Sequence, residues 1–428
     1  SNRFGQDVNN QFDPTYSFGI SWRIAEEEFI KNYLSWLNQL NLRATYGIQG
    51  NVVNSVSPDL IAQYRGIMEG YDEYYLSISS LPNPLLKWER TKTWNLGLDM
   101  QLFNGITMSF EYYGRRSNAI INQDIAQEYG IATMKLNGGR IHNHGIEYSI
   151  NLTPYKRKDF AWTIGINASK NWNKAQNDDV RIKADKLTKD NFLNGSTDRL
   201  LKKGYPLSAF WSYSFAGLDP QTGYPTFNRI DFDEIDPDID PTTFLVYSGQ
   251  KDPYFTGGVN TRVRYKSLSL GVDFSVLLGA KKRLPNPYAN FNYGQLPDPY
   301  HNLSKDLLKR WQKPGDEKHT IYPALYTSVE DVYNIQLPDG TQSNSIYSMW
   351  ANSDAMVVNA SFLRCNQISV SWNMPPRICS KFGATNCSIS ANLNNPFVIG
   401  SNRFNGFDPE LGDSVMPKIF SCGLSVGF

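Results

Sequence analysis

Hydrophobic and polar positions alternate along most of this chain with a period of two. Between residues 15 and 25 the even positions are Tyr16, Phe18, Ile20, Trp22 and Ile24, and the odd ones are Thr15, Ser17, Gly19, Ser21 and Arg23. Successive side chains of a strand point to opposite faces, so this segment reads as a strand with one apolar and one polar face. Trp94, Leu96, Leu98, Met100 and Leu102 oppose Thr93, Asn95, Gly97, Asp99 and Gln101. Ile106, Met108, Phe110 and Tyr112 oppose Thr107, Ser109 and Glu111, and only Phe103-Asn104-Gly105 separates the two runs, an Asn-Gly hairpin signal. The rhythm recurs over 145–152, 160–168, 258–266, 268–278, 366–373, 386–394 and 420–428. Within it Arg262 and Arg264 share a phase with Asn260, opposite Val259, Val263 and Tyr265.

The connections sort by length. Short ones lie near 26–37, 103–105, 154–159, 219–223, 266–267 and 374–384, and long ones near 50–85, 118–138, 173–204, 231–254, 281–354 and 399–416. A soluble sandwich has no reason to alternate short and long connections, whereas an outer-membrane barrel has short turns on one rim and long loops on the other. The chain therefore reads as all-β, with about thirteen antiparallel strands, the weakest near 223–230. An odd count at a C-terminal strand predicts that further barrel strands lie outside this chain, because an open edge in lipid leaves backbone groups unpaired. The stripes Phe18/Trp22 and Leu96/Leu98 read as lipid-facing anchors, and Arg262 and Arg264 as lumen-wall residues.

Composition sharpens this reading. Aromatics are 14% of the 428 residues, with 25 Tyr, 23 Phe and 10 Trp. Lys plus Arg number 42 against 41 Asp plus Glu, so no global charge recruits nucleic acid. No apolar run approaches the roughly 20 residues of a membrane helix. Residues 26–37 suit one or two helical turns on the short-turn side. The first 25 residues lack the basic start, apolar core and cleavage site of a signal peptide, so for an exported chain the expectation is either that its N-terminus was made elsewhere and removed or that it is part of a longer protein. Cys365, Cys379, Cys387 and Cys422 form no CxxC pair; they read as small apolar strand residues, with a Cys379–Cys387 disulfide across a turn as the alternative.

Chemistry-bearing clusters are few. No nucleophilic triad or phosphate loop is visible, so an enzyme is not expected. His142 and His144 share a strand phase and read as wall or rim residues rather than metal ligands. The run Asp231, Asp233, Asp236 with neighbouring acids is either a solvated loop or a weak calcium candidate, since it lacks the EF-hand glycine and terminal Glu. The long segment 281–354 interleaves Tyr293, Tyr300, Trp311 and Trp350 with amides such as Asn290. Rings and amides together suit capture of sugar or peptide; the same rings could instead pack the loop on itself.

Several segments, in order, carry a resemblance. They are Ser17 to Ile24 with Glu26-Glu27; Leu42-Arg43-Ala44-Thr45-Tyr46-Gly47 with Gly50-Asn51; Asn83-Pro84-Leu85-Leu86-Lys87-Trp88-Glu89 with Asn95 to Asp99; Gly145-Ile146-Glu147; Gly217-Leu218-Asp219-Pro220-Gln221-Thr222-Gly223; Trp311 to Asp316; Ala360 to Arg364; and the terminal Phe428. Together they resemble the C-terminal half of SusC/RagA-type TonB-linked outer-membrane transporters. The resemblance implies a barrel of about 22 strands of which this chain supplies the last thirteen or so, the plug and first strands lying elsewhere. It also implies residence in the bacterial outer membrane and contact with the plug and remaining strands. Coupling to TonB would run through the missing N-terminal part, and a SusD-like surface lipoprotein would be a partner. The function so implied is active import of oligosaccharides or oligopeptides; the alternative is a non-transporting scaffold or surface-binding component.

Overall fold

In the computed structural model, the described residues are 14–131, 133–176, 202–228, 245–289, 300, 302–325 and 346–428. Their strands, in chain order, are β1 (Tyr16–Arg23), β2 (Leu37–Asn51), β3 (Ile61–Ile67), β4 (Tyr74–Ser80), β5 (Glu89–Leu102), β6 (Ile106–Asp124), β7 (Thr133–Lys156), β8 (Phe160–Ala175), β9 (Ala209–Tyr213), β10 (Phe215–Leu218), β11 (Pro225–Phe227), β12 (Leu245–Gln250), β13 (Phe255–Tyr265), β14 (Leu268–Leu278), β15 (Lys281–Arg283), β16 (Val357–Asn359), β17 (Phe362–Asn373), β18 (Asn386–Ile399) and β19 (Ile419–Gly427). Short helices are α1 (Glu28–Lys31), α2 (Ile346–Ala351) and α3 (Pro376–Cys379). Among the described residues no helix is long and apolar enough to cross a membrane. The elements fall into two compact units, β1–β8 with β13, and β9–β12 with β14–β19.

In the first unit β1-β2-β5-β6-β7-β8-β13 run as neighbours of one antiparallel wall. The register carries the sequence alternation across every strand. Trp22 pairs Leu42, Leu42 pairs Leu98, Leu98 pairs Phe110 and Phe110 pairs Tyr148, so one face is a continuous apolar rung. One residue along, Ser21, Arg43, Gly97, Glu111 and Glu147 form a polar rung on the other face. The apolar face is the open one: Phe18 is 69% and Ile20 76% exposed. A soluble sandwich would bury that face; this one presents it as a lipid-facing band.

The connections of this unit do not sort cleanly by length: 24–36 between β1 and β2 is longer than 125–132 between β6 and β7. The β5–β6 turn is three residues and leaves Phe103 at φ 50°. Asn38 holds it, its amide donating to Phe103 O at 2.5 Å and Asn104 Oδ1 at 3.1 Å. The strands differ from expectation in length. β6 has 19 residues and β7 has 24, so they run into the span 118–138 and leave only 125–132 as connection. A crossing strand needs about 9–11 residues, so this pair projects well past the bilayer on the long-loop side. The 50–85 connection likewise contains a hairpin, β3–β4.

In the second unit the wall strands run β14-β17-β18-β19. Val272, Ile368 and Leu393 are successive partners on one face, and Asp273 opposes Gln367 next to them. The terminal strand exposes Phe420 and Leu424 at 68% and 69%. The strand anticipated near 223–230 is corrected: β11 is three residues, pairs only β10, and lies outside the wall. Its turn, 219–223, therefore is not a rim turn. All four cysteines are free thiols. Cys379 and Cys387 are buried with Ala384 against Met374, so the alternative of a disulfide is not taken up.

Candidate functional site

The polar face of the first unit is built around Arg43. Its Nε donates to Asp99 Oδ2 at 2.7 Å and its Nη2 to Asp99 Oδ1 at 3.1 Å, a two-pronged pair. Nη2 also reaches Glu111 Oε1 at 3.0 Å. Asn95 donates to the other Glu111 oxygen and Ser109 to Asp99, each at 2.9 Å. The guanidinium lies across Gly97, where a Cβ would crowd it at 3.0 Å from its carbon. The motif residues Arg43, Asn95 and Asp99 therefore tie three strands on the polar side. Arg262 and Arg264 are exposed on β13, in phase with Asn260, which lies against Gly165 of that same polar face.

In the second unit the aromatic residues of the long segment fold into a platform. Tyr288 Oη donates to Pro323 O at 2.6 Å, Tyr347 Oη to Ala324 O at 2.7 Å and Trp350 Nε1 to Ile321 O at 2.9 Å. Tyr288 meets the Trp350 ring edge-on at 5.3 Å and Tyr347 at 5.2 Å. Burial pushes the Tyr288 and Tyr213 phenols above their ordinary range.

Two of the sequence motifs meet here. In the first, Asp219 Oδ1 accepts from the Gln221 and Thr222 amides at 2.8 and 2.7 Å and from Thr222 Oγ1 at 3.0 Å. These bonds, the Thr222 amide foremost, hold its carboxyl below the usual range. The turn ends at Gly223, whose φ of 69° leaves its bare face beneath the Trp311 ring. In the second, Asp316 Oδ2 accepts from the Gln312 and Lys313 amides, both at 3.1 Å, and Trp311 packs on Leu218 and Ala324. The Asn83-to-Glu89 motif is structural in the same sense: Asn83 donates to Lys135 O at 2.8 Å, and Glu89 accepts from the Ile120 amide and from Asn51, each at 2.9 Å.

These positions correct part of the expected ligand surface. Trp350 has no exposed area and Trp311 only 9%, so both rings are spent on packing. Tyr300, 91% exposed, offers its ring to solvent. Tyr293 and Asn290, like the acidic run with Asp231, Asp233 and Asp236, lie outside the described residues. Among the described residues no group of three His, Cys, Asp or Glu is placed to hold a metal ion; His142 and His144 lie ring to ring at 5.3 Å.

A concave surface that the sequence reading missed adjoins the platform. It is a cleft of about 570 Å³ lined by Phe210, Lys251, Lys281, Lys282, Arg283 and Asn286, with Ser348 and Asn352 of the helix region and Asp413. Arg283 stacks over the Phe210 ring at 5.0 Å and donates to Trp211 O and Ser212 Oγ. The signal was the Lys281-Lys282-Arg283 run directly after an apolar strand. The cleft joins an aromatic floor to several cations and amides, a surface suited to a polar or acidic ligand.

Antiparallel strands with one exposed apolar face and an opposite polar face are the pattern of an outer-membrane β-barrel wall. Residues 1–275 match the family model described as TonB dependent receptor-like, beta-barrel, and the chain belongs to that family. The chain is 27% identical to the TonB-dependent receptor SusC of Bacteroides thetaiotaomicron, over 100% of this chain and 41% of that protein. It is 25% identical to TonB-dependent receptor P3 of Formosa agariphila, over 94% of this chain and 39% of that protein. Among solved structures, the RagAB peptide importer in its open-open state matches at a TM-score of 0.74 and 24% identity, covering 100% of this chain and 44% of that one. The protein is thus a SusC/RagA-type component of the bacterial outer membrane, and the chain spans about two-fifths of the length of the relatives it matches.

Proposed function

We propose that this chain forms the substrate-passage wall and part of the outer mouth of a TonB-dependent importer of oligosaccharides or oligopeptides, working with a SusD-like lipoprotein and without catalytic chemistry. The observation that carries this reading is the segregation of the wall between the short turns and the Trp94 row: an open apolar face, and an opposite face carrying the Arg43–Asp99–Glu111 network and the exposed Arg262 and Arg264. A passive scaffold has no need of a charged inner face, whereas a passage for polar cargo and a plug against that wall both do. Tyr300 and the Phe210–Lys281 cleft are the assigned ligand contacts; Arg262 and Arg264 line the lumen. The similarity to a receptor named SusC and to a peptide importer supports the class of cargo without choosing within it.

The test uses the full-length protein in a strain lacking its own copy, with uptake of labelled oligosaccharides and peptides measured with and without TonB. Uptake that needs TonB, falls in Tyr300→Ala combined with Lys281→Glu, and leaves the heat-resistant folded barrel intact is the expected result. Uptake indifferent to TonB and to both substitutions would overturn the proposal in favour of a scaffold or passive pore.

A further inference from the structure

On the apolar face of β5–β8 the register orders side chains into successive rows toward the long-loop rim. Leu96, Tyr112 and Ile146 are neighbours in one row. Trp94, His144 and Trp172 occupy the next, with Trp94 edge-on to Tyr112 at 5.0 Å and His144 stacked on Trp172 at 5.1 Å. The row beyond is Lys92, Arg116, His142 and Lys174, each the direct partner of the next. Lys92, Arg116 and Lys174 are exposed and ion-pair with no carboxylate among the described residues. One row further stand Arg90 and Arg140. Lys170, from the Ile146 row, reaches up so that its ammonium lies 4.8 Å over the Trp172 ring.

Charge is sorted by face. Asp99, Glu111 and Glu147 fall on the opposite phase, and the outward rows from Leu96 to Arg90 contain no Asp or Glu. Aromatic rows of a barrel sit at the lipid–water interface. Rows are two residues, about 6.7 Å, apart along a strand. At a tilt of roughly 45° the basic row therefore stands about 5 Å outside the aromatic one, at headgroup level. Adjacent strands are about 4.8 Å apart, so Lys92 to Lys174 spans about 14 Å of wall.

We propose that the row Lys92, Arg116, His142 and Lys174 is a docking site for the phosphate-bearing headgroup of an outer-leaflet glycolipid, its acyl chains lying on the Trp94–Leu96 side. The occupant is a lipid because the row is continuous with the lipid-facing band rather than with the polar face. It is anionic because Lys92, Arg116 and Lys174 stand in rows that carry no carboxylate.

The test uses full-length protein in nanodiscs and measures binding of bisphosphorylated lipid A by native mass spectrometry. The triple variant Lys92→Gln, Arg116→Gln, Lys174→Gln is compared with the charge-keeping Lys92→Arg, Arg116→Lys, Lys174→Arg. Each near-surface cation is worth about fivefold in anionic-lipid affinity, so loss of at least tenfold is expected from the Gln variant, with binding retained in the charge-keeping one. Lipid A stripped of phosphate should bind both equally, and inorganic phosphate at the same concentration should not compete. A Gln variant that binds lipid A as wild type does, or a wild type that prefers the phosphate-free lipid, overturns the proposal. Competition by phosphate at lipid-like concentration overturns the lipid assignment. Heat-modifiable migration confirms folding in every variant.

Discussion

Arg364 enters the fold at the start of β17, and its Nη2 donates to Asp408 Oδ1 at 2.7 Å and Glu410 Oε2 at 2.9 Å. Arg364 and Asp408 are 5% and 3% exposed and Glu410 is 50% exposed, so the Asp408 contact carries the energy and the Glu410 contact adds little. Asp408 in turn organises its connection: its Oδ1 accepts from the Glu410 amide at 2.9 Å, its amide donates to Ser414 O at 2.8 Å and its carbonyl accepts from Gly412 at 2.7 Å. Replacing Arg364 by Met strands a buried carboxylate, a change that costs about 3–5 kcal/mol. The surviving bond from the Glu410 amide puts the expected value near the lower end, about 3 kcal/mol, or somewhat over a hundredfold in a local opening equilibrium. Hydrogen exchange by mass spectrometry on the full-length protein reads this directly at the Asp408 and Gly412 amides, while β18 amides serve as the internal control. Adding Asp408→Asn to Arg364→Met removes the orphaned charge and should restore roughly half of the lost protection. A change under twofold in Arg364→Met would refute the argument, because the pair would then not be what ties 400–418 to the wall.

Arg43→Met leaves Asp99 and Glu111 facing each other without their shared cation; discounted for partial exposure, a loss of about 1–2 kcal/mol is expected, read as a lower unfolding temperature of the detergent-solubilised barrel. Trp311→Ala empties the space over Gly223 and should cost about 3–5 kcal/mol, seen as protease cleavage within 302–325, whereas Tyr300→Ala should leave cleavage unchanged. Gly223→Ala forces a side chain into the Trp311 ring at a left-handed φ, and should open the same region to protease. Asp219 is held low by backbone donors, so its contribution is present above the ordinary carboxylate range and lost as pH falls through its depressed folded value. Exchange protection at Thr222 should therefore drop below about pH 4, and Asp219→Asn should flatten that dependence.

The sequence alone determined the wall. A period of two repeated over many segments forces alternate side chains to opposite faces, and one greasy face per strand is the pattern of an outer-membrane barrel. It also marked the face of Arg262 and Arg264, since phase needs no knowledge of the partner strand. What it did not determine was anything set by register or by contacts between distant segments. The basic row on β5–β8 exists only because Lys92, Arg116, His142 and Lys174 fall side by side, a fact fixed by three pairings over 83 positions of chain. The burial of Trp311 and Trp350 follows from long-range packing of 218–223 on 311–324 and of α2 on Ile321, so rings that look like ligand platforms in sequence become core. The cleft of Phe210 with Lys251 and Lys281 gathers residues from separate strands, and concavity is a property of tertiary structure. Local alternation is written in neighbouring residues; burial and juxtaposition depend on where the chain returns.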